Sequence, residues 1–182
     1  MKIIKTKFSG LIIYQRVSYN DSKGYFRELF FEKALNKKFI FDYISLSKKN
    51  VIRGLHLQTK NPQGKLITVL NGRIFDIALD CRKKSKTFGK YFKIILSDKN
   101  NKSLFIPEGF AHGFCSLTNN SILHYKCTNY RNPNSETGII WNDKKLNIKW
   151  PIKKPILSSK DKINQEFDKF TISKKFLNSK WY

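Results

Sequence analysis

Cysteine, histidine and acidic side chains are all scarce in this sequence, and each scarcity removes a class of protein. The 182 residues include only three cysteines, Cys81, Cys115 and Cys127, with no Cys-x-x-Cys spacing. Neither a disulfide framework nor a thiolate zinc site is expected. Histidine is as rare, at His56, His112 and His124. Barrels that bind iron, manganese or zinc often carry His-x-His on one strand, whereas here His56 is followed by Leu57 and Gln58. The second ligand is missing, so no metal centre and no cofactor are expected. Apolar runs such as residues 11–14 and 139–141 are short, far below the ~18 residues of a membrane span. Lys5 and Lys7 break up the basic N-terminus, so no secretory signal is readable. The expectation is a soluble, cytoplasmic protein.

The shortage of acids leaves 36 basic residues against 13 and a net charge of +23. Such a field attracts polyanions, whether nucleic acid, membrane surface or phosphorylated metabolites. The lysines recur as pairs from Lys37 to Lys175 rather than as one block, which reads as a generally basic surface. A nucleic-acid-binding β-barrel is an alternative. It would need exposed aromatics between basic residues on one strand face, and no such stripe is evident.

What is abundant is core material, with 40% apolar and 14% aromatic residues. That excludes an intrinsically disordered chain and suits one domain over residues 1–182, with 167–182 as a C-terminal extension. Turn-forming clusters at 20–24, 48–50, 61–64, 71–72, 98–101, 118–120 and 132–135 separate short β-branched or aromatic stretches. That rhythm predicts an all-β sandwich or barrel. Strands are expected at 11–17, 25–31, 39–47, 51–58, 65–70, 73–80, 91–96, 104–106, 113–117 and 122–130. Asn71-Gly72 suits a type I′ turn, so 65–70 should pair with 73–80. Short helices are expected only at 32–36 and 160–167. The tail mixes Lys with Phe and Trp, and either packs onto the barrel or reaches a partner.

Polar residues interrupt three of these strands. Strand alternation puts Arg53 and Leu55 on one face, and Gly54, His56 and Gln58 on the other. A lone strand histidine is usually packing, but Lys65 opens the next strand. An imidazole beside a fixed cation is a base beside an oxyanion stabiliser. Pro107-Glu108-Gly109 delivers His112 to the mouth of a strand. Alternation sets Tyr125, Cys127 and Asn129 opposite His124, Lys126 and Thr128.

Together these segments resemble the dTDP-4-dehydrorhamnose 3,5-epimerase family, a branch of the cupin superfamily. The likeness rests on Lys23-Gly24-Tyr25-Phe26-Arg27-Glu28, on Arg53-Gly54-Leu55-His56-Leu57-Gln58 and on Pro107-Glu108-Gly109-Phe110-Ala111-His112-Gly113-Phe114. It continues through Asp80-Cys81-Arg82, Tyr125-Lys126-Cys127 and Leu157-Ser158-Ser159-Lys160-Asp161, spanning roughly residues 8–161 in the family's order. The resemblance implies an antiparallel jelly-roll barrel, a homodimer and a nucleotide-diphospho-4-keto-6-deoxy sugar as substrate. It makes His56 the general base, Asp161 its orienting carboxylate, Lys65 the enolate stabiliser and Tyr125 the general acid. Arg53, His112 and Lys160 match diphosphate-side positions, and Lys23, Glu28 and Glu136 match other substrate contacts. Three departures fall where the substrate is chosen. Lys23 replaces the family's usual Arg, Phe41-Asp42-Tyr43 replaces a Gln-x-Asn stretch, and Arg131 stands where an aromatic is common. That pattern fits a related nucleotide sugar. A 3,4-ketoisomerase on the same scaffold is a second possibility, less suited to Lys65, Tyr125 and Asp161 together.

Overall fold

A computed structural model describes residues 2–179 and 181 of the chain; Lys180 and Tyr182 of the tail lie outside the described residues. Two antiparallel sheets face each other. The six-stranded sheet runs β1 (Lys2–Lys5), β2 (Ile12–Gln15), β10 (Lys102–Ile106), β7 (Lys65–Asn71), β12 (Ser121–Cys127), β5 (Phe41–Ser47). The five-stranded sheet runs β13 (Glu136–Gly138), β6 (Ile52–Gln58), β11 (Phe110–Ser116), β8 (Arg73–Asp80), β9 (Tyr91–Ser97). A separate hairpin joins β3 (Ser18–Asp21) to β4 (Gly24–Arg27). This is the expected jelly-roll architecture with little helix. None of the described helices is long and apolar enough to cross a membrane.

Alternation along the strands builds the layers. Ile67 and Val69 of β7, Leu104 and Ile106 of β10, and Leu123 and Tyr125 of β12 meet Ile74, Ala78, Phe110 and Phe114 of the other sheet in the central core. The opposite faces are also covered. Leu66 and Phe105 pack outward under Phe30, Leu35 and Phe39. Leu55, Ile77, Leu79 and Ala111 pack outward under Phe167, Phe170, Phe176 and Trp181. The tail therefore packs onto the barrel, because its aromatics close an apolar sheet face that would otherwise meet water.

Three expectations need correction. The strands flanking Asn71-Gly72 do not pair, since β7 lies in one sheet and β8 in the other. Only Gly72 has positive φ, at 85°, whereas a type I′ turn needs it at both central residues. The Gly72 carbonyl accepts from Asp98 N–H and the Arg73 N–H donates to Thr118 Oγ1, so the chain crosses between sheets at this corner. The helix expected at 160–167 is two helices, α1 (Ser159–Lys162) and α2 (Phe167–Ile172). They are separated where Gln165 bridges to Ile139. A third helix, α3 (Lys174–Leu177), lies outside the only two helical stretches expected, and strands β1, β3 and β13 were not expected; the segment at 32–36 is a 3-10 turn over Glu32–Ala34.

The third correction shapes the site. Between Arg53 and His56, β6 carries one more residue than β11 does between Phe114 and His112. This bulge turns Arg53 to the same cavity as His56, against simple alternation. Gly54 makes it possible. Its φ is 115°, and a Cβ there would lie 2.6 Å from Gly113 Cα and from the His112 carbonyl oxygen.

Candidate active site

Between the sheets opens a cavity of about 500 Å³. The five-stranded sheet supplies Arg53, His56 and His112, and the six-stranded sheet supplies Tyr43, Ser45, Lys65 and Tyr125. Arg131, Glu136 and Lys160 stand among its lining residues. Eight of the ten expected site residues therefore meet around this cavity: seven line it, and Asp161 lies behind His56.

His56 Nε2 lies 2.5 Å from Asp161 Oδ1. Local sequence fixes Asp161: Ser158 caps α1, accepting from the Asp161 N–H at 3.1 Å, and its own hydroxyl donates to Asp161 Oδ2 at 2.9 Å. Burial alone would push this carboxyl up. Hydrogen bonds and charge from His56, with bonds from Ser158 and the Gly54 N–H, outweigh that and hold it below the usual carboxylate range. An ionised Asp161 accepts a hydrogen from Nε2, which leaves Nδ1 as the ring's proton acceptor.

Lys65 opens β7 inside the cavity, and its ammonium makes no ion pair or hydrogen bond with the described residues. Burial pushes it below the usual lysine range, an effect that Cys127, Glu136 and Asp76 only partly offset. Tyr125 is buried, its ring stacked on Tyr43, and Ser45 Oγ donates to its Oη at 3.4 Å. Burial pushes its hydroxyl up, so the phenol keeps its proton at neutral pH.

His112 Nε2 is 2.8 Å from Asp76 Oδ2, and the pair is buried. Sequence reasoning missed Asp76. Its signal was a lone acid on the inward face of an otherwise apolar strand, Ile74 to Leu79. Arg53 is held by Ser47 Oγ and the Leu46 carbonyl, each at 3.0 Å. Glu136 accepts from Arg131 Nε at 2.8 Å and Lys160 Nζ at 3.0 Å. Burial would raise the Glu136 carboxyl, but these two cations bring it down to about 2.

Lys23 and Glu28 are not among the residues lining this cavity. Lys23 sits on the exposed β3–β4 turn beside Asp21, and Glu28 borders a small cleft with Arg16 and Phe30. Asp80 and Arg82 of the motif also stay outside, forming a structural hub with Ser85 and Thr87.

The family model described as dTDP-4-dehydrorhamnose 3,5-epimerase matches residues 5–169 of the chain. The chain is 44% identical over 169 residues to the dTDP-4-dehydrorhamnose 3,5-epimerase of Methanothermobacter thermautotrophicus, covering 88% of this chain and 91% of that one. It is also 44% identical over 174 residues to the enzyme of the same name from Shigella flexneri, covering 92% and 96%. Among solved structures, the dTDP-6-deoxy-D-glucose-3,5-epimerase of Legionella pneumophila, determined with dTDP-4-keto-L-rhamnose, superposes with a TM-score of 0.91. That match is at 39% identity and covers 100% of this chain and 99% of the other. This chain belongs to the dTDP-4-dehydrorhamnose 3,5-epimerase family of isomerases.

Proposed function

We propose that this chain inverts C3, C5 or both in a nucleotide-diphospho-4-keto-6-deoxy sugar, without metal or organic cofactor. The observation that carries this is a carboxylate-bound imidazole, an ammonium without an ion-pair partner among the described residues, and a buried phenol around one cavity. A hydrogen beside a ketone is acidic only if charge developing on the oxygen is stabilised. His56 Nδ1 takes the proton, and Asp161 stabilises the imidazolium that results. The electron pair of the broken C–H bond moves into the enolate, whose oxygen faces the Lys65 ammonium. One such donor is worth about 2.7–4 kcal/mol of barrier. Tyr125 then gives its phenolic proton to the opposite face. His56 releases its proton to solvent and Tyr125 regains one, which closes the cycle.

Arg53 and Lys160 supply cations for the diphosphate, with His112 beside them and Glu136 as a further substrate contact. Lys23 and Glu28 act through a homodimer. The β3–β4 hairpin pairs with no other strand among the described residues, and Tyr19, Tyr25 and Phe26 on it are exposed. An exposed apolar hairpin fits a surface that a second copy covers. The enzyme works in the cytoplasm, where its three buried cysteines stay free thiols.

The test is turnover of dTDP-, GDP- and CDP-4-keto-6-deoxy sugars in deuterated water, with products read by NMR. Deuterium at an inverted C3 or C5 with at least one of them is the expected result. A 3-keto product, or no turnover with tight, salt-sensitive RNA binding, would contradict it.

A further inference from the structure

Tyr43 faces Tyr125 directly across the β5–β12 ladder. The two rings lie 4.5 Å apart at 11°, a flat stack. Strand β5 is the edge of its sheet, with β12 as its one neighbour among the described residues, so this contact hangs on an edge strand. On another side the His112 ring meets Tyr125 edge-on at 6.2 Å and 68°. The only hydrogen bond made by the Tyr125 hydroxyl among the described residues is the 3.4 Å bond from Ser45, long for an O–H···O contact. The hydroxyl oxygen lies on the axis of the ring torsion, so its place is set by the swing of the whole side chain about Cα–Cβ, and one long bond at the tip does little to fix that swing. The stacked ring does, because swinging Tyr125 toward β5 would drive its face into Tyr43.

We infer that Tyr43 is a positioning residue for Tyr125, holding the phenol so that its proton reaches the enolate on the face opposite His56. The inference rests on the reading of Tyr125 as the general acid. Burial pushes the hydroxyls of both tyrosines up, so both rings are neutral and no charge opposes the stack.

The experiment uses a partition rather than a rate. Once the enolate has formed, it collapses by inversion through Tyr125 or by return of a proton on the His56 side. In deuterated water the first gives inverted product and the second gives deuterated substrate of retained configuration. Their ratio is set after binding, so a change in substrate affinity does not move it. Tyr43→Phe keeps the flat ring and should leave the ratio within about twofold of wild type, whereas Tyr43→Ala should lower it about tenfold or more, the scale of a misplaced catalytic group. Tyr43→Leu, which keeps apolar bulk without a flat face, replaces the alanine variant if that one fails to fold, and the same fall is expected. An unchanged ratio in Tyr43→Ala or Tyr43→Leu overturns the inference. So does a fall in Tyr43→Phe as large as that in Tyr43→Ala, which would assign the effect to the hydroxyl. Tyr125→Phe is measured alongside. Loss of inversion there with no effect at Tyr43 refutes the positioning role alone, whereas full inversion refutes Tyr125 as the acid and the inference with it.

Discussion

Glu136 draws Arg131 and Lys160 together within the cavity lining, and its ionisation couples the site to pH. Its carboxyl lies at about 2 in the folded chain against an ordinary 4.5. A depressed carboxyl means that the unfolded chain binds more protons as the medium becomes acid. The stabilisation is complete above 4.5 and is lost as pH falls toward 2. The melting temperature of the wild type should therefore fall more steeply than that of Glu136→Gln across this window, as thermal melts at stepped pH would record. Parallel slopes would mean that the bonds to Arg131 and Lys160 do not hold in solution. Among the residues around the cavity, His56, Tyr125 and Asp161 were legible because each stood inside a motif, and Lys65 because it opens the strand after His56. Asp76 and Ser45 were not. Their roles come from cross-strand neighbours, and register between distant strands is not written in either strand alone.

Most elements could be read from alternation and turn chemistry, and the failures have identifiable causes. Asn71-Gly72 marks a real turn, but which sheet each flanking strand joins is decided by Thr118 and Asp98 far along the chain. The bulge in β6 was hidden because one extra residue leaves no compositional trace beyond the glycine. Gly54→Ala tests what the bulge does. Its Cβ would press on backbone of β11 at 2.6 Å, which cannot yield as a flexible side chain could. The expected cost is about 1–3 kcal/mol of stability, together with loss of epimerisation as Arg53 and His56 lose their common aim. Denaturant melts and activity on one preparation would check both, and full activity would show the bulge to be incidental. The tail was undecided in the sequence because its aromatics suit a core or an interface equally. Phe170 is fully buried against Phe176 and Trp181. Phe170→Ala should cost about 3–5 kcal/mol in urea unfolding, and a cost under about 1 kcal/mol would mean that the tail does not seal the sheet in solution.

At the scale of the molecule, the charge of +23 and the cations Arg53 and Lys160 in the cavity favour a substrate bearing a diphosphate. Screening shortens the reach of that field from about 10 Å at 0.1 M salt to about 3 Å at 1 M. KM should rise several-fold over this range with kcat nearly constant, because the proposed proton transfer lies inside the cavity rather than on the charged surface. A KM indifferent to salt would separate the surface charge from substrate capture. The central claim, that His56 removes the proton, has a direct measurement: exchange of the C3 and C5 hydrogens of the 4-keto sugar with deuterated water, followed by NMR in wild type and in His56→Asn. Asparagine keeps a polar side chain near Asp161 but has no basic nitrogen. Exchange at one or both carbons in the wild type and none at either in His56→Asn is the expected result, whereas exchange at the wild-type rate in His56→Asn would place the base elsewhere.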